Sequence, residues 1–400
     1  MNAQPNLGAE AHDVNPKYGL LFIVTAAAVL FPFYIGGPVL LVAIVYLAWQ
    51  ERAQLRQTIK HQGWVGIFIV YTIIVGLYHR NFLGVLATVA VALIALFFYY
   101  YRKYLTVQHF LQILKIIAWG SIPLVMMAIF QYLYYVWNNG YDVWYIFKYH
   151  NPQTRAEATF FNANYYGLYC TMAILVAMYL AKTLTGRNEK LLSIVAIAGN
   201  SISIILTASR LLLPTVVVGI LWLVYYLNRK YAIIVLLTGL IGGGVLLMNP
   251  EVLPRLTTLD YAFKDRFILW GTGWNIFLTS PLVGRGALSY LNYYYLFVDR
   301  GQIHAHQMLI DTLANYGLFG LFILINAFTG YFRQLIKDLK DSTIRFELGL
   351  VTSIIVVVLM HGLMDMAIYW LQTGFVFLAI ILCPTAILRE LSQLHRQPSE

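Results

Sequence analysis

Charge is scarce in this sequence: Asp, Glu, Lys and Arg make up only 11% of its 400 residues. A soluble domain carries roughly 25% charged residues, so an ordinary water-soluble fold is excluded. Cysteine is scarcer still. Cys170 and Cys383 are the only two, both inside apolar runs, which rules out a disulfide framework and a zinc-ligand spacing. The 17 acidic residues form no cluster between the apolar runs, so neither a metal site nor a cofactor is expected. No internal repeat is visible, and the polar start "MNAQPNLGAEAHDVNPK" shows no cleavable signal.

What the chain has is apolar length. It is 60% hydrophobic, with a mean hydropathy of +0.69. Spans of about 20 apolar residues, the length that crosses a bilayer, recur about twelve times. They cover 18–34, 36–50, 64–79, 81–101, 111–137, 163–184, 190–208, 211–228, 231–248, 306–332, 346–364 and 367–388. The expected fold is an all-α polytopic membrane protein. A cytoplasmic tail, 1–17, precedes helices over 18–248, a large extracytoplasmic loop over 249–305, helices over 306–388 and a second cytoplasmic tail, 389–400.

The placement of Lys and Arg sets the orientation. Lys17, then Arg52, Arg56 and Lys60, then Arg102, Lys103 and Lys115, fall in alternate connections with Lys182, Arg187, Lys190, Arg229 and Lys230. Arg333, Lys337, Lys340, Arg345, Arg389 and Arg396 continue the series. Both termini are therefore expected in the cytoplasm, with membrane lipids as partners and no nucleic acid. The cations left outside are Arg80, Lys148, Arg155, Arg210, Arg255, Lys264, Arg266, Arg285 and Arg300. Most lie in two long outer segments, 138–162 and 249–305, and loops beyond ~12–15 residues commonly carry function.

Within the second segment, the stretch from Arg266 to Leu278 reads as an amphipathic helix lying at the interface, ended by Ser280-Pro281. "VGRG" sets Arg285 between glycines that allow close backbone approach to a ligand. Arg210 closes "SISIILTASR" where two spans meet. Its guanidinium either snorkels to headgroup phosphates or holds a phosphate in a polar cavity with its bidentate fork. In "RAEATFFNANYYG", Asn162 reads best as a helix cap, whereas Asn164 either caps or hydrogen-bonds a polar substrate.

"GQIHAHQMLIDTLANYG", residues 301–317, gathers polar groups at the threshold of an apolar span. With a helix starting near His304, the residues His304, Gln307, Asp311 and Asn315 share one stripe and His306 points elsewhere. A histidine there can accept a proton near neutral pH, or the pair can simply cap the helix; His-x-His also offers metal ligands, but the outer loops show no companion cluster of Asp or Glu. In "LMHGLMDMAIYW", His361 and Asp365 stand four apart. They either pair structurally, with each other or with Arg210 or Arg266, or take part in chemistry.

The succession "TFFNANYYG", "TASR", "DRFILW…SPLVGRG" and "HAHQMLIDTLANYGLFGLF", from about Thr159 to Gly320, resembles the O-antigen ligase and polymerase family. That resemblance implies an architecture like the C-type membrane glycosyltransferases. The implied donor is an undecaprenyl-diphosphate-linked glycan at the outer face of the cytoplasmic membrane. The implied acceptor is a lipid- or glycan-borne hydroxyl: lipid A-core for a ligase, another lipid-linked repeat unit for a polymerase. His306 matches the family's essential histidine best, with His304 second. Arg210 and Arg266 match its diphosphate-binding arginines, and Asp365 matches more loosely. Apart from the resemblance, Arg285 is expected to contribute to holding the diphosphate, because an anionic substrate at the outer face needs compensating charge there. Gln307 stands where the family has Asn.

The rival class is a transporter or flippase of lipid-linked oligosaccharides. Such a protein places charge near the midplane in two related halves. Here charge gathers towards one side, which favours an enzyme, and one dominant outer loop favours a ligase over a polymerase.

Overall fold

The computed structural model describes residues 17–61, 63–149, 152–210, 212–252, 259–299 and 301–396. Residues 1–16 and 397–400 of the expected tails 1–17 and 389–400, and the cations Arg255 and Arg300, lie outside the described residues. Regular structure among the described residues is helical, without strands. Its first half comprises α1 (Gly19–Val29), α2 (Phe33–Gln50), α3 (Arg52–His61), α4 (Gly63–Tyr78), α5 (Phe82–Tyr104), α6 (Val107–Trp119), α7 (Ser121–Asn138), α8 (Tyr145–Lys148) and α9 (Ala163–Thr183). Then follow α10 (Arg187–Leu206), α11 (Leu212–Leu227), α12 (Arg229–Met248), α13 (Leu259–Leu278), α14 (Ser289–Tyr293), α15 (Met308–Asp338), α16 (Arg345–Gly362), α17 (Leu371–Ile381) and α18 (Thr385–Arg396).

The polytopic all-α class holds. Among the described residues, eight helical stretches have the length and apolarity to cross a membrane, nine if the bent pair α17–α18 is one crossing. Three shorter apolar helices, α1, α4 and α11, occupy other expected spans. By length and composition, eight to nine helices among the described residues qualify, and the three shorter ones stand at further positions of the expected series.

Packing ranks these helices. The crossing formed by α9 is 78% buried, while that of α12 is only 6% buried. α9 is apolar all round with small residues where neighbours approach. A Cβ on Gly167 would meet Leu212 Cδ1 at 1.9 Å, so α11 lies against bare backbone there. Asn162 caps α9, its Oδ1 accepting from the Asn164 backbone N–H at 2.8 Å. The main core surrounds α9, and a second, smaller core joins α13 and α14 to the start of α15.

Two expected spans are interrupted. The stretch 367–388 is not one helix: α17 ends at Ile381, Pro384 follows, and α18 departs at 74°. Proline lacks the N–H to continue α17 and disfavours helical geometry in the residue before it. α18 then runs amphipathically, burying Ile387, Leu388 and Leu391. α15 breaks at Gly317, whose φ of 63° and ψ of −171° are not helical. The backbone groups opened there are satisfied by the segment 281–286. Leu318 and Phe319 N–H donate to the Pro281 and Leu282 carbonyls at 2.9 Å, and Gly286 N–H donates to the Asn315 carbonyl at 2.8 Å. The "VGRG" glycines thus serve backbone-to-backbone contact. A Cβ on Gly284 would stand 2.5 Å from the Asn315 carbonyl oxygen.

At one end of the bundle Lys103 and Lys17 reach Glu51, and Lys115 reaches Glu189 at 2.6 Å. The opposite end, where α9 starts, α10 and α16 finish and α15 begins, carries His304, His306 and His361.

Candidate functional site

The segment 301–307 is not helical, so the expected stripe from His304 does not form: α15 starts at Met308, with Gln307 as its cap accepting from Ile310 N–H at 2.6 Å. Only Asp311 and Asn315 lie on the helix. Just before it, His306 adopts a left-handed φ of 55°, a conformation costing a residue with a Cβ on the order of 1 kcal/mol. Its neighbours fix it there. His306 N–H donates to His304 Nδ1 at 3.2 Å, Trp270 Nε1–H to the His306 carbonyl at 3.3 Å, and Ala305 N–H to Asp311 Oδ1 at 2.9 Å. Asp311 is held in turn by Asn315 Nδ2–H at 2.8 Å, and Asn315 Oδ1 accepts from Ser289 N–H at 2.9 Å. Asp311 and Asn315 therefore brace the histidine loop from beneath.

The loop sits on the seam between the two cores, and across the seam stands Asp365, only 2% exposed. It leaves the end of α16 in a turn closed by its own N–H on the His361 carbonyl at 3.0 Å. Its Oδ1 lies 2.9 Å from His306 Nδ1 and accepts from Met366 N–H at 2.8 Å, with His304 Nε2 3.8 Å away. Its Oδ2 accepts from Asn164 Nδ2–H at 2.5 Å, and Arg266 approaches to 3.9 Å. Burial opposes ionisation of Asp365, but the hydrogen bond to His306, with the histidines around it, holds its carboxyl well below the usual range. It is a carboxylate.

The two histidines consequently differ. A carboxylate accepts only, so the His306 nitrogen facing it, Nδ1, carries a proton and Nε2 is the basic nitrogen. Nε2 faces the Gln302 amide at 3.3 Å, which offers oxygen to the imidazolium or, turned over, NH₂ to the neutral ring. His304 is pushed down to about 4, first by burial and then by His306, so it is neutral at physiological pH. Its Nδ1 already accepts from the backbone, so Nε2 carries the proton, 3.1 Å from Tyr165 Oη.

Of the residues singled out from sequence, His304, His306, Asp365, Arg266 and Asn164 come together. Arg210 lies on the nearby turn between α10 and α11, after Ala208 with its left-handed φ of 46°. Arg285 turns elsewhere: its guanidinium bonds Thr279 at 2.9 Å, faces His79 Nδ1 at 3.3 Å and stacks on Tyr293. Sequence reasoning passed over Tyr165, Trp270 and Gln302, which carry no signal apart from the fold. Arg155 was legible only as one more outer-loop cation. Its Nη2 donates to Asn164 Oδ1 and its Nε to the Thr207 carbonyl, both at 2.7 Å.

One nitrogen from each of His304 and His306 and one oxygen of Asp365 lie within 4.8 Å of one another, a donor set of the kind that holds a transition metal. The missing acidic companion of the histidines was thus missing only in sequence, since Asp365 arrives from 59 residues away. Loading a metal there would displace the His306 Nδ1 proton and reverse the His304 tautomer.

Residues 191–325 match a family model described as O-antigen ligase, which bears out the resemblance read from the sequence. The matched stretch holds Arg210, Arg266, Arg285, His304 and His306, whereas Asn164 and Asp365 lie outside it. No curated protein matches the chain.

Proposed function

We propose that this multi-pass membrane protein of the O-antigen ligase type transfers a glycan from an undecaprenyl-diphosphate carrier to a hydroxyl acceptor. The reaction takes place at the outer face of the cytoplasmic membrane, with both termini inside. The acceptor oxygen attacks the anomeric carbon, the bond from that carbon to the phosphate oxygen breaks, and undecaprenyl diphosphate leaves with the bonding pair. The acceptor proton passes to His306 Nε2. Asp365 orients the ring and stabilises the imidazolium that forms, while neutral His304 holds the His306 backbone.

A lipid diphosphate is already a good leaving group, so what remains is to compensate its growing charge. Arg266 and Arg210 do this with fixed guanidinium groups in a partly water-excluded site, and no divalent cation is required. Arg285, bound to Thr279 and His79, contributes by holding its own loop in place. The acceptor is lipid A-core if the protein is a ligase, or a second lipid-linked repeat unit if it is a polymerase.

The observation that carries this reading is the His306–Asp365 pair, 2.9 Å apart with Nε2 turned away from the carboxylate, beside a guanidinium 3.9 Å from the same carboxylate. A general base of this kind contributes roughly 10²–10⁴-fold to rate. His306→Ala should therefore lose that much transfer while still binding the lipid-linked donor. Wild-type transfer by His306→Ala would reject the assignment. In a deletion strain, single repeats without long chains indicate a polymerase, and accumulated full-length lipid-linked polymer indicates a ligase.

A further inference from the structure

We propose that Arg155 and Asn164 are positioning residues that act through Asp365 on His306, and that Arg155 ties this assembly to the turn carrying Arg210. The inference rests on the reading of His306 as the base.

Asn162 caps α9 and turns its first residues so that the Asn164 side chain leaves the helix between a cation and an anion. The amide is used on both sides: Oδ1 accepts from Arg155 Nη2 at 2.7 Å, and Nδ2 donates to Asp365 Oδ2 at 2.5 Å. Its orientation is forced. Turned over, it would set NH₂ against a guanidinium and oxygen against a carboxylate, two repulsive contacts in place of two charge-assisted bonds.

The carboxylate is thereby divided between two tasks. Oδ2 is anchored by Asn164, which leaves Oδ1 aimed at His306 Nδ1, 2.9 Å away. A carboxylate held at one oxygen cannot swing from the imidazole, and an imidazole held at Nδ1 keeps Nε2 on a fixed line. Base catalysis depends on that line, because small misplacements of a reacting group cost large factors in rate.

Arg155 extends the chain in the other direction. Its Nε donates to the Thr207 carbonyl at 2.7 Å, and the next residue, Ala156, donates its N–H to the Leu206 carbonyl at 3.0 Å. This is the end of α10, three residues before Arg210. One planar guanidinium thus bridges the arginine-bearing turn and the carboxylate that aims the base, using the two-donor geometry that lysine lacks. Hydrogen bonds run without a gap from Thr207 through Arg155, Asn164 and Asp365 to His306. A diphosphate drawing on Arg210 would shift one end of this chain and be felt at the other.

The test uses the purified full chain, lipid-linked glycan extracted from the deletion strain as donor, and that strain's membranes as acceptor. Arg155→Ala and Asn164→Ala should each lower kcat by ~10–100-fold with donor KM changed less than ~3-fold, as for groups that act only in the transition state. Arg155→Lys should fall between wild type and Arg155→Ala. Added guanidinium should restore part of the activity of Arg155→Ala but not of Asn164→Ala. In the His306→Ala background, neither change should lower the residual rate further, because the chain then aims nothing. Losses that add to that of His306→Ala, losses confined to KM, or wild-type kcat in both alanine variants would overturn the proposal. Should Arg155→Ala fail to reach the membrane, Arg155→Lys and Asn164→Ala decide. If His306→Ala is fully active, the base assignment falls and takes this inference with it. If His306→Ala is inactive while Arg155→Ala and Asn164→Ala are not, only this inference falls.

Discussion

Asp365 Oδ1 and His306 Nδ1 stand 2.9 Å apart although 59 residues separate them, and the contact decides which ring nitrogen is basic. Asp365→Asn keeps the shape and loses that decision. Asn164 and Arg266 draw the new amide oxygen to their side against the pull of the Met366 N–H on the other, and where they win NH₂ faces Nδ1 and sends the ring proton to Nε2. Transfer should fall by roughly 10²–10⁴-fold with protein level unchanged, as expected for a base held in the wrong tautomer. Near-normal transfer would show that the carboxylate does not orient the ring.

The arginines should separate by surroundings. Arg266→Ala and Arg210→Ala should abolish most transfer, and Arg210→Lys should not rescue it because the planar fork is gone. Arg285 is engaged with Thr279, His79 and Tyr293, so Arg285→Ala should cost less rate and more stability. Rate assays beside melting curves of the three alanine variants make the comparison. Equal rate losses without loss of stability would place Arg285 on the substrate.

Acid should loosen the histidine loop. In the folded protein His304 is pushed down to about 4, whereas an unfolded histidine titrates near ~6.5. Between these values the unfolded chain binds a proton that the folded one refuses, so stability falls as pH drops through this window and is flat above it. At about pH 5 the loss is ~2 kcal/mol for this buried group. The difference between melting curves at about pH 5 and 7.5 should shrink in His304→Asn, and an unchanged difference would dissociate the loop from the acid sensitivity.

Topology can be read at Asp299, which is exposed on the segment before the histidines. A cysteine there, in a chain whose Cys170 and Cys383 are both buried, should react with an impermeant maleimide in intact cells. Reaction only after permeabilisation would invert the protein and remove its site from the outer face.

Gly317→Ala should be poorly tolerated. The backbone conformation there is open essentially to glycine alone, and a Cβ would lie 2.5 Å from both Gly284 N and the Leu282 carbonyl oxygen, neither of which can move cheaply. A loss of about 3 kcal/mol or more is expected. It can be followed by the amount of protein in the membrane, and normal levels would contradict the packing described.

Local signals carried much of this into the sequence. Asn162 reads as a cap because its side chain serves the backbone beside it. Asp365 reads as half of a pair because a buried charge requires a partner. The stripe from His304 to Asn315 failed because periodicity assumes a continuous helix, and the cap made by Gln307 with the left-handed His306 ends that assumption at Met308. The span 367–388 reads as continuous because apolar residues flank Pro384 on both sides, and composition alone does not register the missing N–H. The roles of Arg155, Tyr165 and Trp270 depend on which helices meet, and no spacing encodes that.

The break in α15 has a consequence for how the chain is made. The half-helix from Met308 to the break is too short to enter hydrocarbon alone, and its opened backbone groups would find no partner in lipid. Those partners, the backbone of 281–286, are synthesised before Gly317 leaves the ribosome. The chain therefore brings its own plug to the bilayer ahead of the notch it fills, and insertion of this segment is an act of tertiary folding as much as of partitioning.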